Sequence, residues 1–217
     1  MSMIAVIDYG MGNLRSVQKA LEEAGAKAKI TSGASDIRRC DKVVFPGVGA
    51  FGDAVKELKR RGLIGPIKEA IAGGKPFLGL CLGLQLLFEK SEEAPGVKGL
   101  GVLKGEVKRF SGSSLVASGS KDRLKVPHMG WNEIKVKSKK SKVKSDILKG
   151  IPDGSYFYFV HSYYAKPRDP RIVLTTTNYG IDFVSAVRKD NVYGLQFHPE
   201  KSQAQGLKIL RNFIGLK

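Results

Sequence analysis

Several residue types are scarce in this sequence of 217 residues, and each shortage narrows the class of protein. Only two cysteines are present, Cys40 and Cys81, which excludes a disulfide-stabilised scaffold. No apolar run reaches the roughly 18 residues of a membrane-spanning helix, so no membrane partner is expected. The hydrophobic content of 42% excludes a disordered chain. Because the first residues contain neither a basic leader nor a long apolar stretch, we expect a cytoplasmic protein without a secretory signal.

Acidic residues are also scarce, at 20 against 37 lysines and arginines, which gives a net charge of +17. Such an excess is typical of nucleic-acid-binding proteins, but it equally suits an acidic protein partner or a phosphorylated ligand. The excess is densest in one segment, which contains Lys135, Lys137, Lys139, Lys140, Lys142 and Lys144. Because Ile134 and Val136 alternate with lysines, we interpret this segment as a solvated hairpin and expect no nucleic-acid partner.

The hydrophobic pattern changes near the middle of the chain. In the first half, strand-like runs alternate with helical periodicity, which predicts βαβ units and a parallel sheet. The predicted strands are 3–8, 28–31, 42–45 and 75–80, and the predicted helices are 14–24 (capped by Asn13), 50–61, 65–72 and 82–90. In the second half, short apolar runs at 102–110, 131–136, 156–160, 172–177, 183–188 and 191–197 predict hairpins and mixed strands, closed by a helix at 203–214. We therefore expect a single domain of the α/β class over residues 1–217.

The sharpest chemical feature is the segment Gly79-Leu80-Cys81-Leu82-Gly83, where a predicted strand turns into a helix. This is the pattern of a nucleophile elbow, in which glycines flank a nucleophile on a strained turn. The helix N-terminus favours the thiolate form of Cys81, and the backbone N–H of Leu82 would face an oxyanion formed there. A buried structural cysteine is the alternative reading. Cys40 lacks flanking glycines, and we assign it no role.

A thiolate nucleophile needs a base, and the base needs an orienting acid. The sequence has only three histidines, His128, His161 and His198. His198 begins the tripeptide His198-Pro199-Glu200, and residues two apart on an extended segment point the same way, which brings Glu200 to the imidazole. The proline favours an extended conformation for His198. The tripeptide alone is weak, but with Cys81 it completes a Cys–His–Glu set.

Two further features accompany this set. Pro46-Gly47-Val48-Gly49 follows a predicted strand directly, and its glycines allow the backbone to supply a second oxyanion donor. Gln85 lies one helical turn beyond Cys81, on the same face of the predicted helix, where it can hold a polar substrate.

The turn Pro46-Gly47-Val48-Gly49, the elbow at Cys81 and the tripeptide His198-Pro199-Glu200, in this order along the chain, resemble the class I, or triad-type, glutamine amidotransferases. Additional segments resemble the glutaminase subunits of imidazole glycerol phosphate synthase, an enzyme of histidine biosynthesis: DYGMGNLRSV (8–17), FPGVGAFGDA (45–54), PHMGWN (127–132), YFVHSYYA (158–165) and GLQFHPEKSQ (194–203). The resemblance implies a three-layer α/β/α domain with a central mixed, largely parallel sheet. It also implies hydrolysis of glutamine to glutamate and ammonia, with no metal or organic cofactor. The ammonia would pass to a (β/α)8-barrel cyclase subunit in a heterodimer. The lysine-rich segment is not part of this pattern.

Roles carry over from the resemblance by position. Cys81 corresponds to the nucleophile, His198 to the acid and base, and Glu200 to the residue that orients it. Oxyanion contacts are implied for Gly47, Val48, Gly49 and Leu82. The glutamine pocket is implied for Gly49, Gln85, His161, Ser162 and Tyr163. The face toward the cyclase is implied for Asn13, Met129, Trp131, Tyr158 and Lys201. Alternatively, His128 and His161 are structural histidines with satisfied hydrogen bonds and have no part in the reaction.

Three other readings of the sequence remain. A glutaminase subunit from another pathway would keep the triad but lack the segments PHMGWN and DYGMGN. A γ-glutamyl hydrolase would act without a partner. A basic binding module would leave Cys81 inert toward glutamine analogues and would bind nucleic acid with a steep salt dependence.

Overall fold

The polypeptide alternates strands and helices in its first half and consists mainly of strands in its second half. The structure is a computed structural model that describes residues 2–110, 124–137 and 146–216. Its strands are β1 (Met3–Ile7), β2 (Lys27–Thr31), β3 (Lys42–Phe45), β4 (Phe77–Leu80), β5 (Lys90–Ser91), β6 (Gly105–Arg109), β7 (His128–Glu133), β8 (Lys135–Val136), β9 (Tyr156–His161), β10 (Tyr163–Pro167), β11 (Val173–Asn178), β12 (Asp182–Lys189) and β13 (Val192–Leu195). Its α-helices are α1 (Leu14–Glu23), α2 (Ala34–Arg39), α3 (Phe51–Arg60), α4 (Ile64–Ala72), α5 (Leu82–Leu86) and α6 (Gln203–Ile214).

One large mixed sheet runs through both halves of the chain. Five strands in the order β2-β1-β3-β4-β13 are parallel, and the path continues through β12, β10, β6 and β5. The pairs β13–β12, β12–β10 and β10–β6 are antiparallel, and β11 pairs with β12 and β8. Strands β7 and β9 form a separate antiparallel ribbon. In the parallel region Cys81 follows the carboxyl end of β4. The carboxyl ends of the parallel strands are where α/β proteins bind ligands.

Alternating side chains of the central strands enter two different hydrophobic cores. Ile4 and Val6 of β1 pack in one core with buried residues of α1 and α6. Val43 and Phe45 of β3 pack in the other core with residues of α2, α3, α4 and α5. Because helices cover both faces of the sheet, the molecule has three layers, and β3, β4 and β13 are buried along their whole length. The predicted α/β/α architecture with a mixed, largely parallel sheet is confirmed.

Two local predictions about the helices were wrong. The predicted helix 82–90 ends at Leu86, because the carbonyls of Leu86 and Leu87 accept hydrogen bonds from Leu100 and Leu103 instead of continuing the helix. Asn13 occupies the N-cap position of α1, but its side chain makes no capping hydrogen bond. The side chain of Asn13 is exposed and does not stabilise the helix start.

The lysine-rich segment is described only in part. Lys135 and Val136 form β8, which pairs with β11, whereas residues 138–145 lie outside the described residues, so the predicted hairpin is untested. Among the helices of the described ranges, none has both the length and the apolar character needed to cross a membrane.

A close backbone approach between α5 and β3 predicts unequal effects for two helical glycines. A Cβ atom at Gly83 would lie 1.8 Å from the carbonyl oxygen of Phe45, whereas one at Gly65 would meet nothing within 4 Å. We expect Gly83→Ala to lower the free energy of unfolding by at least about 2 kcal/mol through overpacking. We expect the control Gly65→Ala to change it by less than about 1 kcal/mol, because the helix propensity of alanine is offset by Pro66, which disfavours a helical conformation for a preceding residue with a Cβ atom. Urea unfolding measures both, and equal effects of the two substitutions would contradict this packing.

Candidate active site

Cys81 lies on the sharp turn between β4 and α5. Its backbone is left-handed, with φ 51° and ψ −108°, a conformation that L-residues rarely adopt. The flanking glycines make this turn possible. A Cβ atom at Gly79 would lie 2.9 Å from the backbone of Gly83, and one at Gly83 would overlap the carbonyl of Phe45. The predicted nucleophile elbow is therefore built by two close backbone contacts.

The Cys81 sulfur is nearly buried, with 6% of the residue exposed. Its Sγ lies 3.7 Å from the carbonyl oxygen of Val160 and accepts a hydrogen bond from Nε2 of Gln196 at 3.6 Å. Gln196 therefore presents an N–H donor to the sulfur. The amide of Gln196 is held in the required orientation, because its Oε1 accepts a hydrogen bond from Gln85 at 3.2 Å.

His198 and Glu200 form a buried pair beside the cysteine. Nδ1 of His198 lies 2.7 Å from Oε1 of Glu200, and both side chains are almost entirely buried. Burial lowers the pKa of His198, but Cys81 and Glu200 raise it by more, so its net pKa is raised above the ordinary value. Nε2 of His198 is buried and has no hydrogen-bond partner among the described residues. This nitrogen therefore remains available for proton transfer.

The turn that carries Glu200 differs from the expected extended segment. His198 is extended, with φ −101° and ψ 97°, but Pro199–Lys201 forms a 3-10 turn. The carboxylate thus reaches the imidazole across this turn. Ser202 fixes the turn, because its hydroxyl donates to the carbonyl of His198 at 2.6 Å and accepts from the backbone N–H of Tyr158 at 3.0 Å.

The two predicted oxyanion elements are hydrogen-bonded to each other. The backbone N–H of Leu82 donates to the carbonyl oxygen of Gly47 at 3.4 Å. Gly47 is buried, whereas Val48 is 42% exposed and Gly49 has φ +96°. In this conformation the Leu82 N–H is bonded to the Gly47 carbonyl oxygen and is not free to donate to an oxyanion.

A cavity of about 310 Å³ opens at Cys81. All five residues predicted for the glutamine pocket line it: Gly49, Gln85, His161, Ser162 and Tyr163. Its wall also contains Glu93, whose Oε2 accepts a hydrogen bond from the backbone N–H of Phe51 at 2.8 Å. The cavity therefore has a sulfur nucleophile and a carboxylate in one small space. Within the described ranges, no cluster of three or more His, Cys, Asp and Glu side chains has the arrangement of a metal site.

Sequence reasoning missed Gln196 and Glu93. Gln196 is a polar residue in the apolar run VYGLQF, two positions before His198, and this alternation was the available signal. Glu93 lies in an acidic loop segment and gave no comparable signal, because only the fold brings that loop to the cavity.

The other two histidines form a neutral, hydrogen-bonded pair. Burial lowers the pKa of His128 to about 4 and, together with the neighbouring His128, that of His161 to about 3. Nδ1 of His161 donates to the Tyr163 carbonyl at 2.8 Å, so its Nε2 accepts from Nδ1 of His128 at 3.0 Å. Asn132 then donates to Nε2 of His128 at 3.1 Å. Every ring nitrogen is satisfied, which matches the structural reading of these residues.

Four of the residues predicted to face the cyclase lie on or beside the β7–β9 ribbon: Met129, Trp131, Tyr158 and Lys201. Met129 is 62% exposed and Trp131 47% exposed, and the Trp131 ring packs edge-on to Tyr158 at 6.2 Å. Nζ of Lys201 lies 5.5 Å from the centre of the Tyr158 ring. Asn13 precedes α1, a helix that contacts the turn carrying Lys201.

Comparison with known proteins identifies the family. The sequence matches the family model "Glutamine amidotransferase class-I" over residues 5–216. It is 52% identical over 211 residues to imidazole glycerol phosphate synthase subunit HisH of Rhodopirellula baltica, covering 97% of this chain and 96% of that protein. It is 52% identical to the HisH subunit of Aquifex aeolicus, covering 96% and 94% of the two chains.

Solved structures support the fold independently of close sequence similarity. The structure of PurLQS from Thermotoga maritima superposes with a TM-score of 0.71 at 20% identity, and 98% of each chain is covered. A crystal structure of a glutamine amidotransferase gives the same TM-score of 0.71 at 19% identity, covering 98% of this chain and 99% of that one. The chain therefore belongs to the class-I glutamine amidotransferase family and, within it, to the HisH subunits of imidazole glycerol phosphate synthase.

Proposed function

We propose that this chain hydrolyses glutamine to glutamate and ammonia through Cys81, His198 and Glu200, and that it delivers the ammonia to a (β/α)8-barrel cyclase subunit in histidine biosynthesis. The observation that carries the proposal is the buried His198–Glu200 pair beside Cys81, with Nε2 of His198 unpartnered among the described residues. No metal or cofactor takes part in the proposed chemistry.

In the first half-reaction, the Cys81 thiolate attacks the carboxamide carbon of glutamine and a C–S bond forms. Backbone N–H groups hold the resulting oxyanion. His198 then donates its Nε2 proton to the departing nitrogen, the C–N bond breaks and ammonia leaves. In the second half-reaction, His198 removes a proton from water, which attacks the γ-glutamyl thioester and releases glutamate and the thiolate. Glu200 keeps Nδ1 of His198 protonated, so Nε2 is the nitrogen that exchanges protons.

The cavity also suits an amino-acid substrate. Glu93 places a carboxylate in its wall, which can pair with the α-ammonium group of glutamine. Gln85 donates its amide N–H groups to the Tyr163 carbonyl and to Gln196, which leaves its Oε1 to accept from substrate. These contacts extend the substrate set of Gly49, Gln85, His161, Ser162 and Tyr163.

We expect Cys81→Ala to abolish ammonia release and labelling by an electrophilic glutamine analogue, with the circular-dichroism spectrum preserved. The matched control is Cys40→Ala, because Cys40 is also a free and buried cysteine, and burial raises the pKa of its thiol. That variant retains both properties. Near-normal ammonia release from Cys81→Ala would overturn the proposed function.

The partner face is proposed to adjoin the cavity, so that ammonia reaches the cyclase without meeting bulk water. Val160 connects the two regions: its carbonyl contacts Cys81, the residue lines the cavity, and it pairs directly with Met129 across the ribbon. Tyr158 lies on the same face of β9 as Val160, because side chains alternate along a strand. We propose Asn13, Met129, Trp131, Tyr158 and Lys201 as the residues that contact the cyclase.

We expect Trp131→Ala to weaken the affinity for the cyclase by about 30-fold or more, the loss of a buried aromatic contact. Met3→Ala is the matched control, because Met3 is an exposed apolar residue (39%) at the amino end of β1, whereas Cys81 follows the carboxyl end of β4 in the same parallel region. Its affinity remains that of wild type. Isothermal titration of both variants with a cyclase subunit tests the surface, and equal affinities would exclude Trp131 from it.

We propose that the orientation of the Gly47–Val48 peptide keeps the glutaminase activity low in this conformation. Its carbonyl occupies the Leu82 donor, and rotation of the peptide would free that donor and turn the Val48 N–H toward the oxyanion. A β-branched residue resists unusual φ values, so the cyclase and its ligand would supply the free energy for rotation. The family resemblance implies that this ligand is a phosphorylated ribulosyl aminoimidazole carboxamide precursor, with which the cyclase combines the ammonia.

We expect Val48→Gly to raise glutaminase activity without the cyclase ligand by about 10-fold or more, because an oxyanion donor is worth about 10²–10³ in rate. The stimulated rate changes little. Val48→Ala serves as the control, because it loses the branched side chain but keeps a Cβ atom. If basal turnover of Val48→Gly equals that of wild type while stimulation is complete, rotation at this peptide is not the gate.

Three broader properties belong to the same proposal. Residues 1–217 act as one glutamine amidotransferase domain. Part of the net charge of +17 favours association with an acidic cyclase surface rather than with nucleic acid or a membrane. Both cysteines are free, and a catalytic thiolate requires reducing surroundings, which supports action in the cytoplasm.

A further inference from the structure

Tyr9 is a fully buried residue whose hydroxyl has no hydrogen-bond partner among the described residues. It follows β1, and its ring packs on Phe45 with 5.4 Å between the ring centres. Burying a hydroxyl without a partner costs free energy, so such groups call for a physical reason. Phenylalanine would fill the same space without that cost.

The hydroxyl lies against the backbone of Gly47. A Cβ atom at Gly47 would be 2.4 Å from the Tyr9 oxygen and 3.0 Å from the backbone nitrogen of Gly83. Only glycine fits at this position, and the hydroxyl is beside the same residue whose carbonyl rotates in the proposed activation.

Rotation of the Gly47–Val48 peptide has a cost in hydrogen bonding. The Gly47 carbonyl would lose the Leu82 N–H, its donor at 3.4 Å in this structure. Gly47 is buried, so the carbonyl needs a new donor from the protein. The Tyr9 hydroxyl is a buried, unused donor beside this residue, and its proton can turn about the C–O bond.

We propose that Tyr9 is a positioning residue that donates a hydrogen bond to the Gly47 carbonyl when the peptide rotates into its active orientation. The inference rests on the proposed function and adds a residue to it. In the resting state the hydroxyl is unsatisfied, and in the active state the Leu82 N–H becomes free for the oxyanion. The bond would thus favour the active state without a contact to substrate.

The test is Tyr9→Phe in complex with a cyclase subunit of imidazole glycerol phosphate synthase. The complex is assayed with and without the phosphorylated ribulosyl aminoimidazole carboxamide substrate of the cyclase. We expect the ratio of stimulated to unstimulated kcat to fall about 10-fold, the effect of one hydrogen bond on an equilibrium, with KM for glutamine unchanged. The melting temperature stays equal to wild type or rises, because the resting state loses an unsatisfied hydroxyl.

Tyr179→Phe is the matched control, because the Tyr179 hydroxyl donates to the carbonyl of Lys125 at 2.7 Å. That variant melts at a lower temperature and keeps the wild-type stimulation ratio. A wild-type ratio in Tyr9→Phe, or a clear fall in its melting temperature, would overturn the role of Tyr9. If wild type itself releases no glutamate in the loaded complex, the proposed function fails instead.

Discussion

The left-handed backbone at Cys81 is the constraint on which the site depends. It exists because the α5 backbone approaches β3 so closely that Gly83 has no room for a side chain beside the Phe45 carbonyl. This contact turns the chain so that Cys81 lines the cavity and the Leu82 N–H, the oxyanion donor that we propose, lies against the Gly47 carbonyl. Packing between α5 and β3 therefore determines where the nucleophile lies and which donor stands beside it.

Strand β9 connects the remaining parts of the site through its backbone. The Val160 carbonyl contacts the Cys81 sulfur, and the Tyr158 carbonyl accepts a hydrogen bond from the backbone N–H of His198 at 2.9 Å. Alternate residues of the same strand are buried or face the proposed partner surface. A movement of β9 caused by a bound partner would reach the nucleophile and the base together.

The sequence predicted the parts of the molecule that rest on local patterns. The parallel strands of the first half follow from apolar runs between helical segments, and the elbow at Cys81 follows from its flanking glycines. Tertiary contacts decided the rest. The helix after Cys81 ends early because carbonyls at its end bind the loop 99–103, and Glu200 reaches His198 through a 3-10 turn rather than an extended segment. Helix α2 and strand β10 were not predicted. The hydrogen bond from Gln196 to Cys81 and the carboxylate of Glu93 in the cavity depend on distant segments meeting, which no local pattern encodes.

A crystal structure of Cys81→Ala bound to glutamine tests the central claim most directly, because it locates the substrate relative to every proposed group. The account predicts that the glutamine carboxamide lies beside residue 81 and Nε2 of His198. Its carbon should lie within about 3–3.5 Å of the position that the Cys81 sulfur has in the wild type. It also predicts the α-ammonium group at Glu93. Glutamine bound in the reverse orientation, or outside the cavity lined by Gln85 and Tyr163, would contradict it.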